Sequence, residues 1–184
     1  NVDYIHDAVH RNKQISFQYY EWSTSKEMKL RRDGARYIVS PLALVWDDEN
    51  YYLIAYEECN GIRHYRVDKM KAIEVLEANR LEESGYREFD PAVYSNKVFG
   101  MYGGELSTVT LSFPEKLTGV MLDRFGKEVS LKKDIDNFSI RTDVVISNHF
   151  FGWLAGLGKE VKIFAPDSIR QQYKQYLSDI LKDI

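Results

Sequence analysis

The stretch YYLIAYEECNGIRHYRVDKM, residues 51 to 70, predicts two strands joined by a tight turn. Its first part, YYLIAY, is aromatic and β-branched and has apolar side chains on both faces, which is typical of a central strand covered on two sides. Asn60-Gly61 predicts a type I′ turn, whose two central residues take positive φ. The two-residue period of the return strand then gives one face Arg63, Tyr65 and Val67 and the other face His64, Arg66 and Asp68. We expect Tyr65 and Val67 to face the core.

The segments around this hairpin predict one helix and three further strands. Residues 3–11 have apolar side chains at helical spacing. Strands are predicted at residues 15–22, 37–46 and 71–77, with Pro41 marking a kink or an edge. The polar residues 23–36 between the first two strands predict a loop or an exposed hairpin. Five short strands behind one helix favour a small antiparallel barrel that closes on itself.

The rest of the chain predicts a linker and a second domain. Residues 79–106 combine glycines with scattered aromatic residues, which indicates a linker anchored by its rings. From residue 107 onward, strand and helix patterns follow the order β-α-β-β-α-β with a closing helix, the order of a ferredoxin-like sandwich. We therefore predict an α+β fold with a barrel domain at 1–78, a linker at 79–106 and a ferredoxin-like domain at 107–184.

Charge and composition restrict the possible functions. The 184 residues are 44% hydrophobic and 29% charged, as in an ordinary globular protein, and the net charge is −3. This charge excludes a uniformly cationic nucleic-acid surface, so a polyanion would need a local cationic patch. Two patches are present, at residues 26–36 and 63–71. The first is typical of a solvated hairpin tip.

The sequence carries no pattern that predicts an enzyme. No nucleophile elbow, zinc motif, dinucleotide fingerprint or phosphate loop is found, so we predict neither a cofactor nor a metal. His6 and His10 lie four residues apart on the first helix, but no carboxylate completes a familiar site. A single cysteine, Cys59, and the lack of a signal peptide or long apolar run predict a cytoplasmic protein without a membrane segment.

The hairpin resembles the WYL domain of bacterial transcriptional regulators. The similar residues are Tyr51-Tyr52-Leu53, Tyr65-Arg66-Val67-Asp68-Lys69-Met70 and, upstream, Ser40-Pro41-Leu42. Tyr51 replaces the usual Trp and Lys69 the usual Arg. The resemblance implies an SH3-like or Sm-like barrel and a role in sensing nucleic acids, such as single-stranded DNA, or nucleotide-like signals.

The second half resembles the extension that follows WYL domains, often called WCX. The residues that carry this resemblance are the helix FFGWLAGLG, residues 150–158, and the Ala165-Pro166 transition after the next strand. The family's winged helix-turn-helix is not in these residues, and the start at Asn1 fits its removal. We expect duplex DNA to be bound only through that missing module, and we expect a homodimer because such regulators read paired half-sites.

The cationic hairpin is the expected ligand site. Arg66 would be the main anchor, since a guanidinium binds phosphate bidentately. The residues expected to contact the ligand are Tyr52, Arg63, His64, Arg66 and Lys69. Other roles remain open: Arg66 could pair with Asp68 or Glu57, Tyr52 could be core, and Arg63 could face solvent. The chain could also be a dimerisation scaffold, or a pocket for a small anionic metabolite.

Overall fold

A computed structural model describes residues 1–182 of the chain as a mixed α+β protein with an N-terminal helix and curled antiparallel sheets. The chain divides into two compact units, one formed by Asn1–Ala92 and the other beginning at Val93. The division falls within the segment predicted as a linker. None of the helices in the described residues has the length and apolar character needed to cross a membrane.

The first unit contains one helix and six strands. The helix, Val2–His10, buries Ile5 and Ala8, which lie on its apolar face. The elements are α1 (Val2–His10), β1 (Lys13–Trp22), β2 (Met28–Leu30), β3 (Tyr37–Asp47), β4 (Asn50–Glu57), β5 (Gly61–Arg66) and β6 (Met70–Asn79). The additional strand, β2, lies in the segment predicted as a loop or hairpin and pairs with the end of β1.

The strands of the first unit pair in the order β2-β1-β3-β4-β5, and β6 joins through β1. The prediction of a central strand is confirmed, because β4 has a neighbour on each side. The hydrogen-bonded path from β5 to β6 runs back through β4, β3 and β1. The result is a curled half-barrel whose sheet ends with β5 on one side and with β2 and β6, the partners of β1, on the other.

Four aromatic rings form the centre of this half-barrel. Phe17 and Tyr19 come from β1, Tyr37 from β3 and Tyr65 from β5. All six pairs among them have ring centroids 5.0 to 6.3 Å apart. Such contacts stabilise a core beyond the area they bury. Tyr65 is thereby fixed in the core, as predicted, and its neighbour Arg66 is directed to the other face of β5.

The hairpin between β4 and β5 differs from the predicted turn. Glu57 pairs with Gly61, so the loop has three residues, 58–60, instead of two. Positive φ occurs at Cys59 and Gly61, so the type I′ prediction for Asn60-Gly61 is wrong. The return strand is also shorter than predicted, because β5 ends at Arg66 and a 3-10 turn, Val67–Lys69, follows. Asp68 is therefore placed by this turn and not by the strand period.

The second unit is a four-stranded antiparallel sheet with helices, in the predicted order of elements. After α2 (Pro91–Lys97), the elements are β7 (Glu105–Phe113), α3 (Thr118–Phe125), β8 (Leu131–Lys133), β9 (Phe138–Ile146), α4 (Asn148–Gly156), β10 (Lys162–Ala165) and α5 (Asp167–Lys182). The strand order is β10-β7-β9-β8. Its core includes Phe113 and Phe150, together with Phe99 from the segment predicted as a linker.

Candidate anion-binding site

Arg66 and Asp68 form a bidentate ion pair at the end of β5. The Arg66 Nε donates to Asp68 Oδ1 at 3.1 Å, and Nη2 donates to Oδ2 at 2.8 Å. The two side chains are 33% and 57% exposed. Their hydrogen bond raises the pKa of Arg66 and lowers the pKa of Asp68. The 3-10 turn creates this pair by bringing Asp68 back toward the strand, so the guanidinium already holds one oxyanion in the geometry it uses for phosphate.

Two tyrosines hold and flank Arg66. Its backbone N–H donates to the hydroxyl of Tyr19 at 2.9 Å. Burial is the main reason that the pKa of Tyr19 is raised, so this phenol stays protonated at neutral pH. Tyr52 lies directly opposite Arg66 in the β4–β5 pairing. Side chains of directly opposed residues lie on the same face of a sheet, which places the half-buried Tyr52 beside the guanidinium.

The other three predicted residues are divided between two faces. His64 is half-buried and pairs with Ile54, on the same face of β5 as Arg66. Lys69 lies in the 3-10 turn, where its charge helps to lower the pKa of Asp68. Arg63 is exposed on the opposite face, and its guanidinium donates to the neighbouring carbonyl of Ile62 at 3.1 Å. We call the group formed by Tyr52, His64, Arg66, Asp68 and Lys69 the Arg66 site.

Glu57, the alternative partner of Arg66, has different partners in the structure. It is only 8% exposed. Arg32 Nη1 donates to its carboxylate at 3.2 Å, and the Tyr65 hydroxyl donates to it at 3.3 Å. The Arg32 guanidinium also lies 4.2 Å from the centre of the Tyr37 ring. Burial, followed by the charge of Glu57, raises the pKa of Tyr65. This network stabilises the core side of β5, while the Arg66 site occupies the other side.

The basic segment 26–36 is bonded to the rest of the unit more extensively than a solvated hairpin tip would be. Arg31 pairs with Glu21 at 3.1 Å. Arg36 donates to the Ser16 hydroxyl at 2.8 Å and to the carbonyl of Ala72 at 2.6 Å. Together with Arg32, these arginines tie the segment to β1, β4 and β6. Their partners lie 10 or more residues away in sequence, which is why the sequence pattern did not reveal them.

Three residues around the Arg66 site were not predicted as part of it. From the sequence, Asp68 was expected only as a possible structural partner of Arg66. The Arg-x-Asp spacing of these two residues is the signal that could have placed it in the site. Tyr19 carried no signal beyond a strand pattern. The third residue is Asn1, whose side-chain Nδ2 donates to the carbonyls of Val67 and Met70, each at 3.0 Å. The start of α1 is therefore bonded to both ends of the turn that carries Asp68.

A second concave surface lies on the sheet of the second unit. It has a volume of about 960 Å³ and is lined mainly by polar side chains of β7, β8 and β9, with Ile140 and the Ala165-Pro166 segment. Asp143 accepts a hydrogen bond from the Thr108 hydroxyl at 2.6 Å and pairs with Lys97 at 3.4 Å. These contacts lower the pKa of Asp143, with the Thr108 bond as the main cause.

Comparisons with known proteins match the first unit to a family and both units to a fold. Residues 1–75 match the family model of the WYL domain. A CRISPR Cas-related protein of known structure aligns over 98% of this chain and 50% of its own, with a TM-score of 0.51 and 14% identity. Proteasome accessory factor B/C (PafBC) of Arthrobacter aurescens aligns over 96% of this chain and 26% of its own, with a TM-score of 0.40 and 18% identity. No curated protein gives a significant match.

The extent of these matches limits what they show. This chain spans about half the length of the CRISPR Cas-related protein and about a quarter of the length of PafBC. At 14% identity, the first likeness shows a shared fold.

Proposed function

We propose that the chain, whose residues 1–75 match the family model of the WYL domain, is the ligand-sensing region of a transcriptional regulator. In this proposal the Arg66 site binds single-stranded nucleic acid or a nucleotide-like anion, and binding controls a DNA-binding domain attached to the chain. The proposal is supported by the match of residues 1–75 to the WYL family model and by the chemistry of the Arg66 site.

The observation that carries the proposal is the bidentate pair between Arg66 and Asp68. A guanidinium presents a planar fork of donors that fits carboxylate and phosphate oxygens. Arg66 has one-third of its side chain exposed, so an anion from solvent can reach this fork. Lys69 adds a second positive charge close to the pair. The site therefore combines directional hydrogen bonding with a local positive field.

Tyr52 gives the site an aromatic surface beside the guanidinium. Stacking of a base on an aromatic ring contributes about 1 to 3 kcal/mol per base in proteins that bind single strands. A ring next to an arginine therefore favours a ligand that carries both a base and a phosphate over inorganic phosphate alone. This combination supports a nucleotide unit as the ligand.

The test is the affinity of the Arg66→Ala variant for a fluorescent single-stranded oligonucleotide, measured by anisotropy at several salt concentrations. Loss of one charge-assisted contact, worth about 1.5 to 3 kcal/mol, should weaken binding roughly tenfold to hundredfold. The slope of log affinity against log salt should flatten by about 0.7, which is one phosphate contact on a single strand. The free energy of unfolding should change by at most about 1 kcal/mol, because the pair with Asp68 is exposed.

Arg11→Ala is a matched control for this test. Arg11 forms a comparable exposed pair with an aspartate, Asp7, at 2.9 Å, but it lies at the end of α1. Its removal changes the net charge equally and should leave the affinity within about twofold. Equal affinities of Arg66→Ala and the unaltered protein would remove Arg66 from the ligand site. Binding of a nucleoside monophosphate as tight as that of the oligonucleotide would indicate a small metabolite as the ligand.

We further propose finer assignments for the fold and the assembly. The first unit is assigned as an Sm-like barrel, supported by its helix, its strand order and the 3-10 turn before β6. The second unit is assigned as ferredoxin-like, supported by the strand order β10-β7-β9-β8. We propose that the chain forms a homodimer, which light scattering of the purified protein at high concentration would test. A monomer under those conditions would contradict this part of the proposal.

A further inference from the structure

The Arg66–Asp68 pair indicates how the site is regulated. We propose that Asp68 occupies the position that the ligand's oxyanion takes, and that a bidentate oxyanion displaces Asp68 from Arg66 and releases the turn Val67–Lys69. This inference rests on the proposed function, because it assigns the anion to Arg66. It adds that Asp68 is the residue that selects the anion and transmits its arrival.

The geometry of the pair makes Asp68 a competitor of the ligand. Its two carboxylate oxygens already accept from Nε and Nη2 of the guanidinium, at 3.1 and 2.8 Å. Nε and Nη2 form one of the two edges of a guanidinium to which a phosphate group can bind bidentately. Anion and carboxylate cannot use the same two donors together, and their like charges repel at this distance. Binding through this fork therefore requires Asp68 to leave.

This competition selects against weak or monodentate anions. Chloride or a single carbonyl oxygen offers the guanidinium one acceptor atom, whereas Asp68 offers two, each aligned with its own donor. A phosphate group replaces both, and in a polynucleotide it brings neighbouring phosphates and bases that add further contacts. Because Asp68 is more than half exposed, its interaction with Arg66 is weak enough to be exchanged for these contacts.

The turn that carries Asp68 is anchored in the core at both ends, and Asp68 itself is exposed. Val67 and Met70 are each 4% exposed and belong to the core. The Met70 N–H donates to the carbonyl of Val67, which closes the turn. Asp68 lies between these anchors, and its bonds to Arg66 restrain the turn from the solvent side. Loss of these bonds should loosen the turn without unfolding the half-barrel.

Asn1 extends this restraint to the first helix. Its Nδ2 bonds to the carbonyls of Val67 and Met70, and its backbone carbonyl accepts from Ile5 at 3.3 Å in the first turn of α1. A change in the turn therefore alters the acceptors that hold the start of α1. This provides a short physical connection from the anion to the N-terminal helix.

The experiment compares the Asp68→Asn variant with the unaltered full chain, using the same fluorescent oligonucleotide. Asparagine keeps the shape of the side chain but removes the competing charge. Binding should become about fivefold tighter, the change that corresponds to the upper end of an exposed ion pair. Asp7→Asn is the matched control, because Asp7 also pairs with an exposed arginine, and it should change the affinity less than twofold.

Hydrogen exchange provides a second readout that does not depend on affinity. Oligonucleotide binding to the unaltered protein should speed exchange in residues 67–70, and Asp68→Asn should produce part of this change without any ligand. An unchanged or weaker affinity of Asp68→Asn, or an equal gain with Asp7→Asn, would overturn the inference. If Arg66→Ala still weakens binding in that case, the proposed function stands without it. If Arg66→Ala has no effect, the proposed function fails and the inference fails with it.

Discussion

Arg32 offers a test of how backbone strain and side-chain bonding are balanced in the first unit. Its φ and ψ are 52° and 38°, and the next residue, Asp33, has φ 52° and ψ 31°. This left-handed conformation costs a residue with a Cβ atom roughly 1 to 2 kcal/mol, whereas glycine adopts it freely. Arg32 remains there with its guanidinium on Glu57 and over Tyr37. We predict that Arg32→Gly destabilises the protein less than Arg32→Ala.

The size of this difference follows from two opposing effects. Both substitutions remove the same bond to Glu57, a charge-assisted contact of about 1.5 to 3 kcal/mol that is reduced here because Arg32 is half exposed. Alanine keeps the strain of about 1 to 2 kcal/mol, and glycine releases it. Glycine adds about 0.4 to 1 kcal/mol of entropy to the unfolded chain, which opposes this gain. The net advantage of glycine should be about 1 kcal/mol.

The neighbouring Arg31 provides the control. It is also a half-exposed arginine with a carboxylate partner, Glu21, but it is not among the residues with positive φ. At this position Gly should be worse than Ala by about 0.5 to 1 kcal/mol, so the order of the two substitutions should reverse between adjacent residues. Urea unfolding of the full chain, followed by hydrogen exchange and mass spectrometry, would report residues 1–92 separately. If Gly is also worse than Ala at Arg32, the strain assigned to that residue is absent.

Two further predictions concern the second unit. Gly104→Ala should destabilise this unit by about 1 to 3 kcal/mol, because the added Cβ would overlap the carbonyl oxygen of Ile146. Gly103→Ala is the control, because the space around its Cβ is open, and it should have little effect on the free energy of unfolding measured by urea titration. The lowered pKa of Asp143 means that its stabilisation is present above the unfolded pKa of 3.8 and is lost as the pH falls through the lower folded value. Asp143→Asn should therefore lower the melting temperature at neutral pH, and the two melting temperatures should converge as the pH falls through the folded pKa of Asp143. A constant difference across the pH range would show that the charge of Asp143 is not the cause.

The elements of the first unit that depend on local pattern were predictable from the sequence. The central strand β4 follows from apolar side chains on both faces, and the reversal near Asn60-Gly61 follows from turn chemistry. The length of that turn was mispredicted because the register Glu57–Gly61 also depends on contacts outside the hairpin. Glu57 is held by Arg32, which is 25 residues away. A two-residue turn signal contains no information about such a partner.

The candidate site was predictable in its residue types and only partly in its geometry. The sequence pointed to Arg66 and offered Asp68 or Glu57 as structural partners. The choice between Asp68 and Glu57 depends on the 3-10 turn Val67–Lys69. The strand ends at Arg66, so the predicted alternation of faces does not continue to Val67 and Asp68. The Tyr19 hydroxyl reaches Arg66 across 47 residues of sequence, and only the curvature of the sheet brings them together.

The hydrogen bond from the Arg66 amide to the Tyr19 hydroxyl has a mechanical consequence for the half-barrel. Arg66 belongs to β5, which ends the sheet on one side, and Tyr19 belongs to β1, which pairs with both strands at the other end, β2 and β6. The Tyr19 hydroxyl thus links the two sides of the opening by one side-chain hydrogen bond. A closed barrel would have a ladder of backbone hydrogen bonds there. A single side-chain bond is worth about 1 kcal/mol, far less than a ladder. The half-barrel can therefore widen between β5 and the β1 side of the sheet while every strand pair stays intact.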